Sequence, residues 1–141
     1  MKLSENYRSV LASELEYVAQ RIKATDRPLE KTYYYSAAYG IVYRLLNLQY
    51  SRSLLLMHQV LEVTHRIVNA RAVESTQGQN SHIPFAPPMM DKIADVLTQM
   101  AAAVAQDQPV IHLLEQITEL AYVFTGNGYY LLQKGSLKPL E

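Results

Sequence analysis

The chain has 141 residues, 49% apolar and 18% charged, and its 13 basic and 13 acidic side chains cancel. A chain this long buries about 70% of the surface its unfolded form exposes, so one domain needs no disulfide or metal staple. The charge balance disfavours a broad nucleic-acid or acidic-membrane footprint, which draws on excess cations, and the lack of cysteine excludes disulfide and thiolate chemistry.

The first helix is expected from about Ser4 to Thr25. Leu3, Tyr7, Val10, Leu11, Leu15, Val18 and Ile22 recur at the three-and-four spacing of one helix face. Glu5 in the first turn and Arg21 and Lys23 in the last suit the helix dipole. At Asp26-Arg27-Pro28 the aspartate is expected to cap a second helix, with proline tolerated in its first turn.

The second helix is expected from Pro28 to Gln49. Between Thr32 and Gln49 it carries one charge, Arg44, and five tyrosines, Tyr33, Tyr34, Tyr35, Tyr39 and Tyr43. So apolar a stretch reads as the middle helix of a bundle. At 100° per residue, one arc holds Tyr34, Tyr35, Ala38, Ile41, Val42, Leu45, Leu46 and Leu48 and is expected to be core. The opposite arc holds Tyr33, Ser36, Ala37, Gly40, Tyr43, Arg44, Asn47 and Tyr50. Tyrosine and arginine are enriched at binding hot spots, and a glycine permits close backbone approach. Two outcomes are open: other helices of the same chain cover this arc, or a second copy or a ligand docks there. Tyr33, Ser36, Gly40, Tyr43, Arg44 and Tyr50 are the candidate interface, and Arg44 with Arg52 could hold an anion.

A third helix is expected from Arg52 to Glu74, capped by Ser51 or Ser53. A break before it is favoured, because a continuous rod of about 68 Å would outrun a compact domain. Residues 75–87 form an irregular segment with His82, Ile83 and Phe85, of a length that is more often functional or mobile than a short loop is. A fourth helix, from Pro88 to Gln106, gathers Met89, Met90, Ile93, Val96, Leu97, Met100 and Val104 on one face. Asp107-Gln108-Pro109 repeats the earlier junction, and a fifth helix is expected from Pro109 to Lys134, with Gly126 and Gly128 inside it and Gly135 after it. No period-two alternation competes. The fold expected is all-α: an antiparallel up-and-down helical bundle of four core helices plus a fifth, or with one broken helix.

His58, Glu62 and His65 share one face of the third helix with the Glu-x-x-His spacing of two-metal bundles, and His112, Glu115 and Glu119 share a face of the fifth. Both faces lie opposite the apolar arcs, and bundle ligands project inward. The expectation is therefore two solvated polar faces and no metal or other cofactor. Arg52 and His58 form an Arg-x5-His element that resembles the Arg-x4–6-His motif of HEPN domains, as does the aromatic run Tyr33 to Tyr39 upstream. The resemblance implies an RNA-binding or RNA-cleaving module in which Arg52 and His58 act in a dimer cleft. Ser53 and the Leu-Leu-Leu-Met core-like stretch depart from that pattern.

No nucleophile–base spacing or glycine-rich phosphate loop is present. The start Met1-Lys2-Leu3-Ser4-Glu5 lacks a signal-peptide run, and Leu120 to Gln133 is too short and glycine-broken to span a bilayer. The function expected is a cytoplasmic, self-associating interaction or scaffold protein, a homodimer without catalysis, membrane or nucleic-acid partner. No small-molecule ligand is identifiable.

Overall fold

The computed structural model describes residues 3–76 and 87–125, apart from the side chains of residues 75, 87, 88 and 123–125. Five helices and no strand occur among them: α1 (Glu5–Ala24), α2 (Pro28–Leu48), α3 (Arg52–Thr76), α4 (Pro87–Ala105) and α5 (Ile111–Thr125). None is long and apolar enough to cross a membrane. The expectations for residues 77–86 and for the chain beyond Thr125, including Gly126 and Gly128, lie outside the described residues.

The helices close into a ring. α1 packs on α2 and α4, α2 on α3, α3 on α5, and α5 on α4. Side-chain pairs fix the directions. The Ser4 backbone amide donates to the Gln49 side chain and Arg21 donates to Tyr34, so α1 and α2 are antiparallel. Thr32 meets Asn69 and Tyr35 meets Thr64, so α2 and α3 are antiparallel too. Arg8–Asp107 and Lys23–Asp95 make the same statement for α1 and α4. The core filling the ring takes Leu11, Leu15, Val18 and Ile22 from α1, Tyr35, Ala38 and Val42 from α2, and Leu54, Met57 and Leu61 from α3. α4 adds Met90, Ile93, Leu97 and Met100, and α5 adds Leu113, Leu114 and Ile117. Those from α1, α2 and α4 are residues that periodicity placed on the inward faces.

Junction chemistry differs from the expectation in detail. α2 and α3 are separate helices, and Ser51 starts α3, its hydroxyl accepting from the Leu54 amide. Asp26 does not cap α2. Arg27 holds that position without a side-chain bond, and the Arg27 amide donates instead to Thr25. Asp107 ends α4 rather than starting α5. It adopts a left-handed φ of 56°, and the Gln108 amide reaches back to the Ala103 carbonyl at 2.8 Å. Glycine is the usual residue at such a cap, and aspartate is among the few others that tolerate it. Here its carboxylate also lies 3.6 Å from Arg8, tying the α4–α5 turn to α1.

Two larger corrections concern α2 and its partner. α2 is a wall of the ring, not its middle: it touches α1 and α3, and its outer arc faces water. Leu48, expected in the core, is 67% exposed, and Val10 and Val63 are exposed as well. All three sit at the margins of their apolar arcs, where the helix count around the core decides burial. His58 and His65, expected on a solvated face, are half-buried against α2.

Candidate functional site

The outer arc of α2 is the most unusual surface among the described residues. Tyr33 is 70% exposed and Tyr43 53%, Leu29 and Leu48 are exposed beside them, and Tyr50, 65% exposed, lies beyond the end of the helix, off the arc on which it was expected. At Gly40, half-way along the helix, an added Cβ would meet none of the described residues beyond its own helix within 4 Å. Ala37, Arg44 and Asn47 are exposed around it, and Ser36 is half-buried. The polar members turn back on their own helix: Ser36 donates to the Tyr33 carbonyl, and Asn47 to the Tyr43 carbonyl at 3.1 Å. What remains outward is aromatic rings, small residues and one charge.

Those tyrosines are held from below. The Tyr43 ring packs on His58 of α3, with centroids 5.3 Å apart. Tyr33 meets Tyr34 edge to face at 5.5 Å. Tyr34 in turn accepts a 2.7 Å hydrogen bond from Arg21, whose guanidinium also lies 4.8 Å from its ring centroid. An exposed side chain fixed this way loses less rotamer freedom when something binds it.

Beneath this surface runs a polar seam between α2 and α3. The Thr32 hydroxyl is 2.9 Å from the Asn69 amide oxygen. Thr64 donates to the Val60 carbonyl at 2.7 Å and accepts from the buried Tyr35 hydroxyl at 2.6 Å. His65 sits between the Tyr35 and Tyr39 rings, and His58 against Tyr39 and Tyr43. The sequence carried a signal for this seam. Tyr35, Tyr39 and Tyr43 recur every fourth residue on α2, and His58 and His65 are seven apart on α3, so both series fall on single faces.

Burial lowers the His65 pKa from its ordinary value, a hydrogen bond with the Thr32 backbone opposing it weakly. The unfolded chain therefore takes up this proton first as pH falls, and stability drops below about pH 6.5. One proton changes stability by at most about 1.4 kcal/mol per pH unit, and partial exposure of the ring reduces that. The groups around the imidazole are the Tyr35 and Tyr39 rings and the Thr32 backbone. Thermal melts at about pH 7.5 and about pH 5 should differ less in His65→Gln than in the parent, and equal differences would remove His65 from the account.

The metal candidates do not converge. His58 and Glu62 are 3.7 Å apart and Arg66 forms an ion pair with Glu62 at 3.6 Å, a row of contacts along α3. His112, Glu115 and Glu119 are exposed on α5, while the α3 imidazoles point at α2. Among the described residues no three such groups are placed to hold an ion. Arg52 is exposed in the first turn of α3, whereas His58 is turned into the tyrosines. Comparison of the chain with protein-family models, with characterised proteins and with solved structures returns no match.

Proposed function

We propose that this protein acts without catalysis, as a cytoplasmic interaction or scaffold module that self-associates as a dimer through the outer face of α2. The observation that carries the reading is Gly40. A glycine inside a helix costs about 0.5–1 kcal/mol relative to alanine, and none of the described residues beyond its own helix backbone and chain neighbours lies within 4 Å of where its Cβ would be. The described residues offer no return for that cost, and another backbone packed there would supply one. Anchored yet exposed Tyr33 and Tyr43 on either side supply the large, preset contacts that interfaces favour. Near-zero net charge removes the long-range repulsion between copies.

Sedimentation across a concentration series tests this directly. The parent should gain mass with concentration. Gly40→Ala should raise the stability of the isolated chain by about 0.5–1 kcal/mol. Gly40→Leu should keep the fold and weaken association at least about tenfold, the equivalent of 1.4 kcal/mol. A parent that stays monomeric at every concentration ends the reading. Cleavage of RNA that is lost in Arg52→Ala would replace it with the HEPN-like alternative.

A further inference from the structure

We infer that the second half of α3, from Thr64 to Thr76, is an acid-released arm: a proton on His65 detaches it from α2 while the rest of the ring stays folded. This device lies on the inner side of α2 and does not depend on self-association. α3 is held unevenly along its length. Its first half is rooted in the core by Leu54, Met57 and Leu61, all fully buried. Its second half buries two smaller apolar side chains, Val68 and Ala72. Much of what holds that half is polar and faces α2. Thr64 accepts from the Tyr35 hydroxyl, Asn69 accepts from the Thr32 hydroxyl, and His65 sits between the Tyr35 and Tyr39 rings. A segment with few buried apolar contacts opens at lower cost than the domain as a whole. α2 does not follow it, because Lys31 and Tyr34 tie the first half of α2 to α1 and α4.

The two imidazoles of the seam differ in what a proton meets. The rings run Tyr35, His65, Tyr39, His58, Tyr43, with successive centroids 6.0, 5.3, 6.1 and 5.3 Å apart. A charged His58 has the Glu62 carboxylate at 3.7 Å and can be held in place. His65 has no carboxylate at ion-pair distance among the described residues. On its own helix Glu62 is engaged by His58 and Arg66, and Glu74 by Arg71. Arg66, next to it in the chain, opposes a second positive charge. α2 turns Tyr35 and Tyr39 toward it, and the charges of α2 lie elsewhere: Glu30 on Arg27, Lys31 on Asp91, and Arg44 on the outer arc. On α5, the other helix against α3, the titratable groups are His112, Glu115, Glu119 and Tyr122, all exposed.

Burial accordingly lowers the His65 pKa from its ordinary value, so the proton is taken up where the ring is free of α2. The open form of the arm gains on the closed form as pH falls through about 6.5. A change from about pH 7.5 to about pH 5.5 raises the opening constant at most about tenfold.

Hydrogen–deuterium exchange read by mass spectrometry at those two pH values, with labelling times scaled for the intrinsic pH dependence of amide exchange, follows the arm directly. In the parent, protection of residues 64–76 should fall severalfold on acidification, and by at most about tenfold, relative to α1 and to the first half of α3. His65→Gln should lose that selective fall. His58→Gln, which removes the imidazole that has a carboxylate beside it, should keep it. Circular dichroism checks that each variant retains the helix content of the parent. A parent whose protection falls equally in all five helices, or does not fall, overturns the arm whatever the variants do. So does a selective fall that survives in His65→Gln or disappears in His58→Gln. A monomeric parent ends the self-association reading and leaves this result unchanged, so the two failures are told apart.

Discussion

Tyr35→Ala lowers the stability of the fold by about 3–5 kcal/mol, the range for removing a buried aromatic ring. Tyr35 is fully buried between α2 and α3, with its ring beside His65 and its hydroxyl on Thr64. Two gentler variants test the polar half of that statement. Tyr35→Phe leaves Thr64 still donating to the Val60 carbonyl, so it costs only the net value of one hydrogen bond, about 1 kcal/mol. Thr64→Val leaves the Tyr35 hydroxyl buried without a partner and costs more, about 1–3 kcal/mol. Urea unfolding followed by circular dichroism gives the order. If Tyr35→Phe is the more damaging of the two, the hydrogen-bond account of the seam is wrong. Burial also pushes the Tyr35 phenol well above the ordinary tyrosine range. The folded chain therefore holds this proton after the unfolded chain has lost it, and stability declines as pH rises past about 10.

Asp91→Ala destabilises by about 3 kcal/mol, and Lys31→Met by about 1 kcal/mol or less. The Lys31 side chain is 2% exposed, and its ammonium donates to the Asp91 carboxylate at 2.9 Å and to the Ile22 carbonyl at 2.7 Å. One charged group thus ties the end of α1 and the start of α4 to α2. Removing Asp91 strands a buried ammonium on a single carbonyl. Removing Lys31 in favour of an apolar chain of similar length leaves Asp91 40% exposed, where water can serve it. For a domain of this size the expected falls in Tm are about 10 °C and about 3 °C. Equal shifts in the two variants would mean that the ammonium reaches water when Asp91 is gone.

Lys31 also marks the edge of what periodicity can do. It lies on the same arc as Tyr35, Ala38 and Val42, so the helical wheel alone would bury it, while its charge argues for the surface. Only the meeting of three helix ends supplies the partners that let it go inside. His58 and His65 failed in the opposite direction. Their arc on α3 is polar and reads as wetted, but the facing arc of α2 is tyrosine, whose rings cover imidazoles without needing full desolvation. The metal-like residues divide at the same point: the imidazoles on α3 turn toward α2, while His112, Glu115 and Glu119 are exposed on α5.

Among the described residues, the helices and most of their inward faces were legible because they depend on local spacing. Buried Leu11, Leu15 and Ile22, or Ile93, Leu97 and Met100, repeat at three and four. The outer arc of α2 was legible as a list of residues, Tyr33, Gly40 and Tyr43 among them, but not as a free surface. The order of the letters determined five amphipathic rods and the chemistry on each side of them. Tertiary structure alone decided which rods adjoin, because the closing of the ring depends on how five differently shaped faces pack at once, a property of no single helix. That packing placed α2 in the wall instead of the centre, gave its histidine-lined partner the inner flank, and left the tyrosines around Gly40 facing outward.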